Sequence, residues 1–207
     1  MTIVPFKGTN AKSRLAPLLS EDERKVFARC MLKDAVKTLE DSDAEQIVIL
    51  IKSLEDGLED FDLFINEKNL TEAVNEIFAR SKESLLIVMP DLPLIKKEHI
   101  NDILSKKEDL VIVPGRRGGT NVIFSKKPNE FFVDYHGLSF LDHLKIAKDK
   151  KLSVNVYDSF FLSTDIDEVS DLMELLIHGN CSAERYLRKI GVHLEINDEN
   201  EVCIKRG

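Results

Sequence analysis

Apolar positions along this chain keep two periods and switch between them. Short, nearly continuous apolar runs occupy residues 46–51 (QIVILI), 85–89 (LLIVM) and 110–113 (LVIV), and a first run closes at Pro5. Runs of that length and β-branched content predict strands covered on both faces. Weaker runs at 61–65 and 121–124, and an alternating one at 152–157, predict further strands. Between them the period changes to that of a helix. Val26, Phe27, Cys30, Met31, Ala35 and Leu39 follow Ser20-Glu21-Asp22-Glu23, a capping box, and predict a helix of about five turns. Asn69 with Glu72 caps a second, which carries Leu70, Ala73, Val74, Ile77 and Phe78 on one face. Helices are also predicted over 96–104 and 139–147, and two more end near Gly179 and Gly191 as left-handed caps. Residues 193–196 and 201–204, either side of Asn197-Asp198-Glu199-Asn200, predict a terminal hairpin.

Strands that alternate with helices imply a mostly parallel, twisted sheet with helices on both faces, the three-layer αβα arrangement of the α/β class. No repeat, low-complexity tract or linker interrupts the chain, so residues 1–207 are expected to form one domain, with 191–207 as its hairpin. Ligands of such sheets gather beyond the carboxyl ends of the strands. Three of the apolar runs stop at Pro5, Pro90 and Pro114. The loops that follow them are therefore expected to share one rim.

Candidate chemistry concentrates in those loops. After Pro5 the chain carries Lys7, Lys12 and Arg14 before any helix begins, a layout in which fixed charge and loop amides can clamp a polyanion. A solvated basic loop is the alternative. Asp91 lies just past a buried strand, between Pro90 and Pro93, where a rigidly held carboxylate must be solvated or paired; a magnesium ligand is one use, a turn residue the other. In Ser163-Thr164-Asp165-Ile166-Asp167-Glu168, alternate positions of an extended segment put Asp165 and Asp167 on one side and Ile166 on the other. That pair suits a second magnesium contact, although Asp167 could equally cap the helix that follows. Gly118-Gly119-Thr120-Asn121 offers amides and a hydroxyl to an anion, or serves only turn geometry. Ser139, after Gly137, is placed at a helix N-cap. His99, His143, His178 and His193 have no partner at metal spacing and read as structural; nothing arranges a serine, a histidine and an acid for hydrolysis.

Charge narrows the ligand. A net charge of −8 over 207 residues argues against a long nucleic acid, whereas residues 1–37 hold eight Lys or Arg against four acids, so the positive field is local to the opening stretch. An apolar content of 43% fills a core, yet no run approaches the ~18 residues of a membrane span, and the N-terminus lacks the zones of a signal peptide. A cytoplasmic protein with no membrane or nucleic-acid partner is expected. Cys30, Cys181 and Cys203 form neither a CxxC pair nor a zinc pattern.

In order and spacing, PFKGTNAKSRLAPLLS, VMPDLPL, GGTN, GLSFLDH and STDIDEVSDL resemble the 2-phospho-L-lactate guanylyltransferase family of archaeal coenzyme F(420) biosynthesis. The resemblance runs from the first strand to about Gly179. It implies a nucleotide-diphospho-sugar transferase (Rossmann-like, GT-A) fold, magnesium dependence and a homodimer. It further implies a reaction of GTP with (2S)-2-phospholactate that yields lactyl-2-diphospho-5′-guanosine and pyrophosphate. In that reading Lys7, Lys12 and Arg14 cradle the GTP phosphates, and Asp91, Asp165 and Asp167 hold magnesium. Gly119, Thr120, Gly137 and Ser139 hold the acceptor. Phosphoenolpyruvate as acceptor, another cofactor nucleotidyltransferase such as the molybdenum-cofactor type, and a non-catalytic nucleotide-binding protein remain open alternatives.

Overall fold

The computed structural model describes residues 1–8 and 12–207; Thr9, Asn10 and Ala11 of the opening stretch lie outside the described residues. In chain order the elements are β1 (Thr2–Pro5), α1 (Glu21–Glu40), β2 (Ile47–Ile51), β3 (Leu63–Ile65), α2 (Leu70–Arg80), β4 (Leu85–Val88), α3 (Lys97–Ser105), β5 (Leu110–Pro114) and β6 (Thr120–Ser125). They continue with α4 (Ser139–Asp149), β7 (Val154–Val156), a short α5 (Phe160–Ser163), α6 (Leu172–His178), α7 (Ser182–Lys189) and the strands β8 (Val192–Ile196) and β9 (Val202–Arg206). The local signals act where expected. Ser20 Oγ accepts from the Glu23 amide while the Glu23 carboxylate accepts from the Ser20 amide, and Asn69 Oδ1 accepts from the Glu72 amide at 3.0 Å. Each satisfies amides that a helix start leaves without partners.

Among the described residues seven strands form one sheet in the order β3-β2-β1-β4-β6-β5-β7, and β8 pairs with β9 as a separate antiparallel hairpin. The pairs among β1, β2, β3 and β4, and between β5 and β7, are parallel; β6 runs antiparallel to both β4 and β5. The glycine turn at 115–119 explains this exception. It is long enough only for a hairpin, because a parallel return needs a crossover of a dozen or more residues. The sheet's apolar residues then divide by alternation. Val4, Ile49, Ile51, Leu86 and Val88 pack with α1 and α3, whereas Ile3, Leu50, Leu85 and Ile87 pack with α2 and α4. A third cluster, with Phe27, Met31, Ile166, Leu175, Leu187 and Val192, joins the far side of α1 to α6, α7 and the hairpin.

Some boundaries differ from the periodicity. Ser139 is the first residue of α4, with Leu138 in the capping position. Gly191 has the left-handed φ of 82° expected of a cap, but Gly179 has φ −74° and needs no glycine for its conformation. Gly179 is instead tight against the Leu175 carbonyl oxygen, 2.4 Å from where a Cβ would stand.

Candidate active site

β1 lies inside the sheet between β2 and β4, so the chain leaves Pro5 on the carboxyl rim away from the sheet's edges. Lys12 stands there in a left-handed conformation (φ 53°, ψ 44°) just before a single 3-10 turn at Ser13–Leu15. Its side chain points inward, and its ammonium lies 2.6 Å from Asp91 Oδ2 and 2.6 Å from Asp167 Oδ1. Burial alone would lower the Lys12 pKa, but these two carboxylates outweigh it and hold the lysine above its ordinary value. Arg14 remains largely exposed, 3.8 Å from Asp167 and 3.6 Å from Glu168, distances that steer rather than fix it. Lys7 is exposed beside Lys12, and both line a small recess with Phe6, Pro90 and Asp91.

The two acidic segments meet through the backbone. Met89 donates to the Asn121 carbonyl at 2.9 Å, which fixes the exit of β4, and the Ile166 amide donates to the Asp91 carbonyl at 3.0 Å. Ile166 is fully buried between the two aspartates. Asp171, itself buried, accepts the amides of Asp167 and Glu168 at 2.9 and 2.7 Å, so the turn is held by Asp171 while the Asp167 carboxylate faces Lys12. Arg117, from the glycine turn after β5, makes a two-pronged contact with Asp171 at 3.1 and 3.0 Å. Burial would raise the Asp171 pKa, yet Arg117 and the amides hold it below its ordinary value. Asn121 donates from Nδ2 to the Leu162 carbonyl at 2.8 Å and reaches Asp165 Oδ1 at 3.4 Å. Asp165 is raised above its ordinary value by burial first, and then by the charges of Asp91 and Asp167.

For a hard divalent cation the donor chemistry fits: oxygen ligands only, with Asp91 and Asp167 already directed at one cationic point, which the Lys12 ammonium takes. Among the described residues no three His, Cys, Asp or Glu are drawn together as a preformed metal cage. Asp91 and Asp167 are thus brought together through a lysine, and Asp165 stands beside them in a field that disfavours its charge.

The other predicted residues lie across the rim. Thr120 Oγ1 is 2.8 Å from His143 Nδ1 and 3.3 Å from Ser139 Oγ, and all three residues are buried. A Cβ at Gly119 or at Gly137 would meet nothing within 4 Å, so open space stands beside these two glycines, the chain neighbours of the hydroxyl residues; Gly137 also takes φ +59°. On the opposite side of Lys7, a cavity of about 410 Å³ is lined by Phe6, Lys7, Leu50, Asn66, Asn69 and Leu70, at the ends of β1, β2 and β3 and the start of α2. Residue type alone did not show Asp171 as the acceptor of two backbone amides and the partner of Arg117, the contacts of Asn121 with Leu162 and Asp165, or that of His143 with Thr120. Each sits inside or beside a motif already noted, but a buried carboxylate that accepts backbone amides leaves no periodic trace.

A 2-phospho-L-lactate guanylyltransferase of Methanococcoides burtonii is 45% identical over 189 residues, 90% of this chain and 88% of that protein. One from Methanoregula boonei is 41% identical over 204 residues, covering 99% and 94%. Among solved structures, a Desulfovibrio desulfuricans G20 protein described as a nucleotide-diphospho-sugar transferase superposes with a TM-score of 0.73 at 17% identity, over 91% of this chain and 93% of that one. A nucleotidyl transferase from Methanothermobacter gives 0.60 at 12% identity, over 91% and 97%. The chain therefore shares the overall fold of these two solved structures. The family described as "Guanylyl transferase CofC like" matches residues 1–206, and to that family the chain belongs.

Proposed function

We propose that the chain transfers GMP from GTP to (2S)-2-phospholactate, giving lactyl-2-diphospho-5′-guanosine and pyrophosphate for coenzyme F(420) synthesis. The observation that carries this reading is the rim site itself, Lys12 held by Asp91 and Asp167 at 2.6 Å, in a chain at least 41% identical to the named relatives over most of its length. The sheet order supports the reading, since it sets the loop after β1 beside the acids after β4 at the carboxyl ends of the strands.

The chemistry needs little from the protein. A phosphate monoester has its second pKa at about 6, so at neutral pH the acceptor's own oxygen is an anionic nucleophile and no general base is required. That oxygen forms a bond to the α-phosphorus of GTP. The bond from the α-phosphorus to the bridging oxygen breaks, and pyrophosphate leaves with the electron pair. Lys7, Lys12 and Arg14 neutralise the triphosphate and the departing pyrophosphate. Asp91, Asp165 and Asp167 would hold magnesium, which when bound neutralises and aligns the polyphosphate. The cavity beyond Lys7 takes the guanosine, since Lys7 lines both that cavity and the recess shared with Lys12 and Asp91. Gly119, Thr120, Gly137 and Ser139 receive the acceptor's carboxylate or phosphate, with open space beside the two glycines. We place the enzyme in the cytoplasm as a homodimer, without membrane or nucleic-acid partners; no helix among the described residues is long and apolar enough to cross a membrane.

A pyrophosphate-release assay with magnesium tests this directly. Each nucleoside triphosphate is paired with 2-phospholactate or with phosphoenolpyruvate. GTP with 2-phospholactate is expected to give the highest kcat/KM. Release only with another nucleotide, or with none, would refute the reading.

A further inference from the structure

His143 is fully buried on α4, and both its ring nitrogens are engaged. The amide of Asp134 lies 2.9 Å from Nε2. An amide can only donate, so Nε2 must offer a lone pair, and in the neutral ring the proton therefore sits on Nδ1. Burial keeps the ring neutral, with its pKa lowered to about 4. Phe131 and the edge of Tyr135, with centroids 5.9 and 5.4 Å away, close off the imidazole and hold its plane.

The tautomer has a consequence at Thr120. Nδ1–H donates to Thr120 Oγ1 across 2.8 Å, so that hydroxyl cannot spend its own proton on the histidine. Ser139 Oγ is 3.3 Å from the same oxygen. Two hydroxyl protons remain for one bond between Thr120 and Ser139. One bridges the pair, and the other is left over, whichever hydroxyl carries it. The opposite tautomer would set Nε2–H against the Asp134 amide and draw the Thr120 proton inward.

We propose that His143 is a positioning residue for the acceptor: donating from Nδ1, it forces the Thr120–Ser139 hydroxyl pair to present one proton outward to an oxyanion. The ligand it serves is an anionic oxygen, carboxylate or phosphate, in the space beside Gly119 and Gly137. This rests on the proposed reading of Thr120 and Ser139 as acceptor contacts. A histidine retained only to join α4 to the segment at Asp134 would need the Nε2 contact alone.

Two amide substitutions separate these roles. His143→Gln can offer a carbonyl oxygen where Nε2 stands, and His143→Asn can offer an NH₂ where Nδ1 stands. For His143→Gln the KM for the acceptor should rise about tenfold or more, with kcat and the KM for GTP within about twofold of wild type. His143→Asn should restore part of the acceptor affinity. Adding His143→Gln to Thr120→Val should cost no more than Thr120→Val alone, since both remove one array. An unchanged acceptor KM in His143→Gln, or an equal rise in the KM of both substrates, would overturn the proposal. Independently of turnover and of variant folding, ¹⁵N NMR of the histidine-labelled wild type should show a protonated, pyrrole-like Nδ1 and a pyridine-like Nε2 at neutral pH. The reverse pattern, or an imidazolium, would refute it even if the enzyme transfers GMP as expected. A wild type with the expected tautomer and no GMP transfer would fault the reading of the site instead.

Discussion

An ammonium with two carboxylates at 2.6 Å and an aspartate with two carboxylates for neighbours respond oppositely to substitution. Lys12 neutralises Asp91 and Asp167, so Lys12→Ala leaves like charges facing each other in a partly buried site. The fully buried case costs about 3–5 kcal/mol; here the side chains of Lys12, Asp91 and Asp167 are 11%, 21% and 36% exposed, and about 1–2 kcal/mol is expected. Turnover should fall about 10²–10³-fold with it, measured as pyrophosphate release beside a thermal melt. Asp165 has the other sign. A carboxyl whose pKa rises above its ordinary 3.8 on folding contributes stability below that value and loses it as pH rises through the folded pKa, so at pH 7 its charge opposes the fold. Asp165→Asn should therefore melt at the same temperature or a degree or two higher, while turnover drops at least about 10²-fold. Undiminished turnover would remove Asp165 from the site; lost secondary structure would make it a turn residue. Residue types alone pointed to Lys12, Asp91 and Asp167, but not to their direct contact, because a lysine and two aspartates from distant segments meet only once the sheet is built.

At the scale of elements, what was legible followed from burial. Strands β2, β4 and β5 and helices α1 and α2 carry unmixed apolar periods and start signals, and their positions were clear in the sequence. The antiparallel course of β6 was hidden in a short glycine turn, and the three-residue strands β3 and β7 were overextended, since a flanking apolar residue reads the same inside a strand or beyond it. The hairpin β8–β9 shows a second kind of loss: its partner. Arg206 donates to the Leu18 carbonyl at 2.8 Å and grips the Glu23 carboxylate of the α1 capping box. Glu23 is held down to about 2, mainly by Arg206 and then by the Ser20 amide. A depressed carboxyl contributes stability above its unfolded value of 4.5 and loses it as pH falls toward 2. Arg206→Ala should accordingly lower the melting temperature at pH 7 by about a degree or two, because the pair is near the surface, and the difference should shrink between pH 4.5 and 2. A difference that persists at pH 2 would mean that Arg206 acts through packing rather than charge.

For the whole molecule, the net charge of −8 and the local excess of cations at its beginning have one physical sense: a small polyanion is drawn to the rim, and long ones are repelled elsewhere. The sheet order places β1 and β4 side by side, so the loop after Pro5 and the acids after Val88 become neighbours although 79 positions separate Lys12 from Asp91. The proposed acceptor contacts and the cavity proposed for the base lie on either side of that junction. On the proposed reading such a layout joins two substrates through one phosphate centre, and the bond it should form is the direct object to measure. ³¹P NMR of the purified protein with magnesium, GTP and (2S)-2-phospholactate should show the acceptor's monoester signal replaced by two mutually coupled resonances of an unsymmetrical diphosphate, with equimolar pyrophosphate. GTP left intact in the presence of acceptor, or pyrophosphate released while the monoester signal persists, would contradict the account.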